Sequence, residues 1–371
     1  MPSPGPSAPT VPLLPANPRV AVVGAGAIGG FLGGMMAKDG VDVTLVDQWP
    51  EHVEAIRSGG LRLSDTIAQY RAEPVAIHLH ELQSVPAPFD VILLSVKAYD
   101  TDWAARLAAG YLAPDGVIVV GQNGITDDRV AAIVGAHRTV GCVITIAVAL
   151  FEPGVVSRTD AYEIGLKVGE LAGPAVDRTN QLAELLGSGA RCVVTDDLAG
   201  QRWSKLALNC MINAVAGITG YGAGEIRSLP ELLPLVTQLA CEVIEVGRAS
   251  GVEVAPIMGI PAQAFVDATA TGDFGPIGVQ MRAASRSTST HPASMLQDVR
   301  KGRRTEIEEL NGFVAAQAER LGLSAPLCAA LADIVRKAGV GGLRPDRSNL
   351  DAVLSLRRET AVDGDRRAGH E

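Results

Sequence analysis

Short apolar runs punctuate the first half of the chain. Residues 19–23, 43–46, 91–95 and 117–120 are stretches of strand length rich in valine, leucine and isoleucine, and the first is ended at once by glycine. Such continuous runs predict strands buried on both faces of a parallel sheet. Residues 30–38 and 104–108 carry helical spacing between them, and Gly40 stands where the first helix should stop. Strands alternating with helices predict a doubly wound α/β unit with right-handed crossovers. Segments 141–149, 154–158 and 162–168 read as strands with no helix between them. They are expected to extend the same sheet in antiparallel fashion.

The pattern changes at Leu198. Residues 198–218, 231–250, 306–321 and 327–338 have helical periodicity, with no strand-like runs among them. Pro230 sits just ahead of the second helix, where a missing N–H costs nothing, and Gly251 sits just past its end. The reading is an α/β domain over 19–197 followed by an all-α domain over 198–357. Residues 1–18, proline-rich and without a basic leader segment, are expected to be a disordered tail, and the charged residues 358–371 a second tail.

Composition narrows the function. A length of 371 residues exceeds one ordinary core, and 47% hydrophobic with 20% charged residues is globular rather than disordered composition. A net charge of −9 argues against a nucleic-acid partner, which needs a basic surface. Cys142, Cys192, Cys210, Cys241 and Cys328 form neither a CxxC pair nor a zinc spacing, so they read as thiols in a reducing, cytoplasmic setting, and no metal is expected. The longest apolar run, around 139–151, is too short for a bilayer. The long apolar helices are compatible with a homodimer.

Two constellations carry chemistry. Gly24, Ala25, Gly26, Ala27, Ile28 and Gly29 form GxGxxG directly after a strand and at the opening of a helix, with Asp47 eighteen residues beyond Gly29. That context points to a Rossmann dinucleotide site. Gly24 would permit the tight turn, Gly26 the approach of a pyrophosphate, and Gly29 close packing of helix on strand. The helix N-terminus would face the phosphates. Asp47, ending the second strand, could accept both adenine-ribose hydroxyls or simply cap a turn. The second constellation is Lys205, Asn209 and Asn213, at i, i+4 and i+8 of one apolar helix. That spacing makes a polar stripe on one face. In a cleft, the lysine can bond a substrate carbonyl and protonate the alkoxide as hydride arrives, and the amides can meet substrate hydroxyls. A solvated polar face is the plainer alternative.

These motifs, with Ser95-Val96-Lys97-Ala98-Tyr99-Asp100-Thr101, Gln122-Asn123-Gly124, Ser294-Met295-Leu296-Gln297-Asp298 and the run 305–312, resemble the ketopantoate reductase (2-dehydropantoate 2-reductase) family over about residues 19–338. The resemblance implies a Rossmann domain plus a helical domain with the active site between them, an NAD(P)H cofactor, a small 2-oxo acid substrate and a place in pantothenate biosynthesis. It further implies that Lys205 is the general acid, that Lys97 and Asn123 lie on the cofactor side, that Ser294 meets the substrate carboxylate, and that Glu306 sits by the cofactor near the lysine. Taken singly, Lys97 and Asn123 are ordinary loop residues and Glu306 an ordinary helix cap.

Two positions depart from the family pattern. The arginine usual after the second strand is Gln48, preceded by Asp47, which favours NADH over NADPH. A substrate-binding asparagine falls at Ala223, which sets ketopantoate itself against another 2-hydroxy or 2-oxo acid, such as a mandelate-like substrate of an NAD-dependent D-2-hydroxy acid dehydrogenase. A non-catalytic dinucleotide-binding redox sensor is a further alternative, and a 3-hydroxyacyl-type dehydrogenase a weaker one, since no catalytic His–Glu pair is suitably placed. His291 is read as a loop residue.

Overall fold

The computed structural model describes residues 12–284 and 292–355. Its N-terminal unit carries twelve strands: β1 (Arg19–Val23), β2 (Asp42–Asp47), β3 (Leu61–Ser64), β4 (Gln69–Ala72), β5 (Val75–His78), β6 (Phe89–Leu94), β7 (Leu112–Val120), β8 (Thr139–Ile144), β9 (Val148–Glu152), β10 (Val155–Arg158), β11 (Leu166–Glu170) and β12 (Cys192–Val194). Its helices are α1 (Ala27–Lys38), α2 (Pro50–Gly59), α3 (Thr101–Ala109), α4 (Asp127–Val134) and α5 (Asp177–Leu186).

Eight strands form the main sheet in the order β12-β11-β8-β7-β6-β1-β2-β5. Every pairing from β5 to β8 is parallel, as the apolar runs anticipate for β1, β2, β6 and β7; β8, expected to join antiparallel, instead pairs parallel with β7, Val119 opposite Val140. Val20 lies opposite Val43 on one side and Val91 on the other. The chain winds outward from β1 in one direction and returns at β6 to wind in the other. That reversal leaves a crevice beyond the carboxyl ends of β1 and β6, where ligands of such sheets bind. β11 joins β8 antiparallel, with Val168 opposite Cys142.

Segments 148–152 and 155–158 do not extend this sheet, contrary to the sequence reading. They form a second, four-stranded sheet of order β4-β3-β10-β9. The edge of β8 is already taken by β11, and β10 pairs instead with β3, Val156 opposite Leu63. This second sheet has a clear purpose in packing: it covers the outer face of α1. A Cβ on Gly33 would lie 2.5 Å from Leu45 of the main sheet, and one on Gly34 would lie 2.7 Å from Leu61 of the second sheet. Helix α1 is therefore apolar on all sides because it is buried on all sides. It also begins at Ala27 rather than Gly30, so the glycine motif forms its first turn.

Part of the expected N-terminal tail is attached. Leu14 is buried, and its N–H donates to Gln181 Oε1 at 2.9 Å. Residues 1–11 of that tail, residues 358–371 and His291 lie outside the described residues.

The C-terminal unit consists of α6 (Leu198–Thr219), α7 (Ala223–Ser228), α8 (Leu233–Ala249), α9 (Ala262–Thr271), α10 (Gly275–Ala284), α11 (Ser294–Arg300), α12 (Phe313–Arg320) and α13 (Pro326–Ala338). Helix α6 starts at Leu198, where the Asp197 side chain accepts from Gly200 N–H at 2.9 Å. It is the buried axis of the domain, and Trp203 packs where α8 presents Gly247. Two local expectations change. The proline in the first turn of α8 is Pro234, not Pro230. Residues 306–321 are not one α-helix: a π-helical turn, Glu308–Gly312, precedes α12.

Candidate active site

The glycine loop occupies the crevice edge after β1. Gly24 takes φ +93°, and a Cβ there would lie 2.6 Å from the Val96 nitrogen. The loop after β1 thus rests directly on the loop after β6. At Gly29 a Cβ would stand 2.1 Å from the Gly24 carbonyl oxygen and 2.8 Å from Val22, so helix and strand meet backbone to side chain. At Gly26 a Cβ would meet nothing within 4 Å. Two glycines are dictated by internal packing. The middle one faces open space at the N-terminus of α1, which fits a pyrophosphate against unpaired N–H groups.

His52, which the sequence reading did not single out, holds this loop in place. It is buried in α2. Its Nδ1 accepts from Gly154 N–H at 3.0 Å, so its Nε2 carries the proton and donates to the Ala25 carbonyl at 2.9 Å. Burial pushes its pKa below the ordinary histidine value, which keeps the ring neutral. The ring joins the glycine loop to the second sheet.

Asp47 ends β2 at the same rim. One carboxylate oxygen accepts from Trp49 N–H at 2.8 Å, so the turn-capping reading holds for that atom. Among the described residues its other oxygen has no hydrogen-bond donor.

Across the cleft, residues distant in sequence form one chain of polar contacts. Asn213 Nδ2 donates to Asn209 Oδ1 at 3.2 Å, and Asn209 Nδ2 to Asn123 Oδ1 at 3.3 Å. Asn123 Nδ2 donates to Glu306 Oε2 at 3.2 Å. Glu306 Oε1 accepts from Ala98 N–H at 2.9 Å, and Lys97 Nζ stands 3.8 Å from Oε2. Lys97 also pairs with Asp298 of α11. Helix α6, the end of β7, the loop after β6 and the start of the π-helical turn are thus tied together. Gly124 (φ +77°) allows the joint, because a Cβ there would lie 2.8 Å from the Glu309 carbonyl oxygen. Gln122 bonds the carbonyls of Val96 and Lys97 from behind.

Lys205 lies on the same face of α6, one and two turns before the asparagines. Among the described residues its Nζ has no hydrogen-bond partner. Desolvation lowers its pKa to about 8, and the negative charge of Asp160 acts in the opposite sense. Asp160 is itself buried and paired with Arg158 at 3.0 Å. Ser294 opens α11, which packs on α6 by placing Met295 against Gly217. Ala223 opens α7. The sequence reading missed Asp160 and gave no role to Asp298, the last residue of the Ser294 motif, since Asp160 acts on Lys205 and Asp298 on Lys97, both far along the chain. Among the described residues no cluster of His, Cys, Asp and Glu could hold a metal ion, and no helix is long and apolar enough to cross a membrane.

Comparison with known proteins agrees with this geometry. Residues 20–173 match the family model described as ketopantoate reductase PanE/ApbA, and residues 197–339 match its C-terminal counterpart. The 2-dehydropantoate 2-reductase of Pyrococcus horikoshii is 28% identical over 328 residues, spanning 87% of this chain and 99% of that relative. The crystal structure of 2-dehydropantoate 2-reductase from Geobacter metallireducens aligns with a TM-score of 0.73 at 26% identity, covering 86% of this chain and 99% of that one. A structure of D-mandelate dehydrogenase with NADH shares the fold, with a TM-score of 0.71 at 22% identity and coverage of 86% and 98%. Both halves of the family pattern are present in order, one over the glycine loop and the other over Lys205 and Glu306, and the chain belongs to the ketopantoate reductase family of oxidoreductases.

Proposed function

We propose that this enzyme reduces a small 2-oxo acid to the 2-hydroxy acid, with NADH preferred over NADPH and Lys205 as general acid. The observation that carries the reading is the placement of Lys205: a desolvated lysine without a partner among the described residues, on the helix face whose asparagines lead through Asn123 and Glu306 to the loop after β6. The nicotinamide cofactor supplies the hydride when bound. At neutral pH a lysine with a pKa of about 8 holds its proton, yet releases it more readily than an ordinary lysine. Its Nζ would bond the carbonyl oxygen and deliver the proton there as charge develops. Asn209 and Asn213 would hold the hydroxyl side of the substrate, and Ser294 its carboxylate. Lys97, Asn123 and Glu306 would define the nicotinamide side. A redox sensor would need only the glycine loop, so the lysine and its polar chain favour turnover.

The cofactor preference rests on Asp47. Its uncommitted oxygen can accept from ribose hydroxyls, each charge-assisted bond being worth roughly 1.5–3 kcal/mol. A 2′-phosphate would meet a like charge there, and Gln48 brings no compensating one.

A second reading of the substrate follows from Ala223, whose methyl group can neither donate nor accept a hydrogen bond. It favours a 2-oxo acid without the extra hydroxyl of ketopantoate, such as an aryl, mandelate-like one. Initial rates with NADH and NADPH against ketopantoate, benzoylformate and branched 2-oxo acids separate the two. Ketopantoate as the best substrate would reject the second reading, and no turnover of any 2-oxo acid would reject both.

A further inference from the structure

The rim that carries Asp47 also carries a cation from the other domain. Trp49 sits on the turn that Asp47 caps, and the guanidinium of Arg303 lies over its ring, 5.7 Å from the centroid. That is within cation–π range. Arg303 follows α11 in the helical domain. Its main chain is fixed there: Gly302 takes φ +63°, and Arg303 N–H donates to the Asp298 carbonyl at 2.9 Å. Among the described residues the Arg303 guanidinium has neither a hydrogen bond nor an ion pair. Asp298, a carboxylate that feels its charge, is already paired with Lys97. Lys301 is a second cation on the same turn, and its Nζ bonds the Leu150 carbonyl at 3.2 Å.

Arginines nearer in sequence to Asp47 are committed elsewhere. Arg57 binds the Ala76 carbonyl at 2.8 Å and pairs with Glu54 and Glu81. Arg71 pairs with Glu73. Among the described residues, Arg303 combines a position at this rim with an uncommitted guanidinium. A guanidinium is also the side chain best shaped to hold a phosphate by two parallel N–H···O bonds.

We propose that Arg303 is a specificity-determining residue for the cofactor, a cation supplied by the helical domain to the 2′ position of the adenosine ribose. The proposal rests on the reading that Asp47 faces that ribose. Asp47 and Arg303 then oppose each other across one subsite: Asp47 repels a 2′-phosphate and binds hydroxyls, while Arg303 attracts the phosphate. NADH is preferred, NADPH is tolerated, and the degree of tolerance is set by a residue of the second domain.

Fragments of the cofactor test this without turnover. Binding of 2′,5′-ADP and of 5′-AMP is measured by calorimetry on the full chain, for the wild type, Arg303→Ala and Asp47→Ala. Arg303→Ala should weaken 2′,5′-ADP by about tenfold or more, the loss of roughly one charge-assisted contact, while 5′-AMP changes by no more than about twofold. Arg303→Lys should keep part of the selectivity and shows whether charge alone suffices; it also replaces the alanine variant if that one melts early. Equal weakening of both fragments, or no change in either, would overturn the proposal. Asp47→Ala should tighten 2′,5′-ADP relative to 5′-AMP. An unchanged ratio there, beside a selective loss in Arg303→Ala, would reject the Asp47 reading and leave Arg303 as the phosphate ligand.

Discussion

Asn123 donates to Glu306 at 3.2 Å across 183 residues of sequence, joining the end of β7 to the turn that opens the last two helices. The bond closes a polar chain in which each member orients the next. If the chain acts as a unit, its members will not contribute independently. A double-mutant cycle on Asn123→Ala and Glu306→Ala, read as cofactor dissociation constants, should show a coupling of about 0.5–3 kcal/mol. Additive effects would mean that the two side chains serve separate ends.

The glycine loop separates binding from folding. Gly26→Ala places its methyl in open space, so the melting temperature should stay near that of the wild type while NADH affinity falls by about tenfold or more, on the order of 1.4 kcal/mol. Gly29→Ala places its methyl 2.1 Å from a carbonyl oxygen, so it should lower the melting temperature itself. Calorimetric melting and NADH titration of both variants check this. A normal melt for Gly29→Ala would contradict the packing described for that turn.

His52 should make stability sensitive to mild acid. Its folded pKa is depressed below the ordinary value of 6.5, so its contribution is fully present above 6.5 and is lost as pH falls through the folded value. Protonation of Nδ1 would break the bond from Gly154 N–H. His52→Gln can still donate to Ala25 and accept from Gly154 but does not titrate. Melting curves from pH 5 to 8 should be steeper for the wild type than for this variant, and parallel curves would rule the mechanism out.

Much of this was legible in the sequence because it depends on local pattern. Runs such as 19–23 and 117–120 are buried on both faces, and continuous apolarity is the signature of that environment. The glycine motif, the stripe of Lys205, Asn209 and Asn213, and the boundary at Leu198 are likewise local. What escaped is what depends on tertiary placement. β3, β4 and β5 are only four residues long and mix polar with apolar positions, so no run announces them. The second sheet exists to cover α1, a fact visible only once Gly34 is seen against Leu61 and Leu63. His52, Asp160 and Arg303 act on residues brought near by the fold, and nothing in their own neighbourhoods marks them.

The proposed supply of a proton by Lys205 has a definite pH signature. The group must be protonated for reduction, so kcat/KM should be level below pH 8 and fall about tenfold per unit above it, since the fraction of protonated lysine sets the rate. Asp160 raises the lysine pKa by its charge, so Asp160→Asn should move that limb to lower pH. A limb that stays in place would remove Asp160 from the account.

The central claim is that Lys205 gives the proton to a carbonyl reduced by a nicotinamide cofactor. The most direct test compares single-turnover reduction of the best 2-oxo acid by the wild type and by Lys205→Ala, with NADH affinity measured on the same samples. The expected result is a loss in rate of about 10²-fold or more, the range for a positioned general acid, with cofactor affinity unchanged. A variant that turns over near the wild-type rate, or that loses its rate only because it no longer binds NADH, would contradict the account.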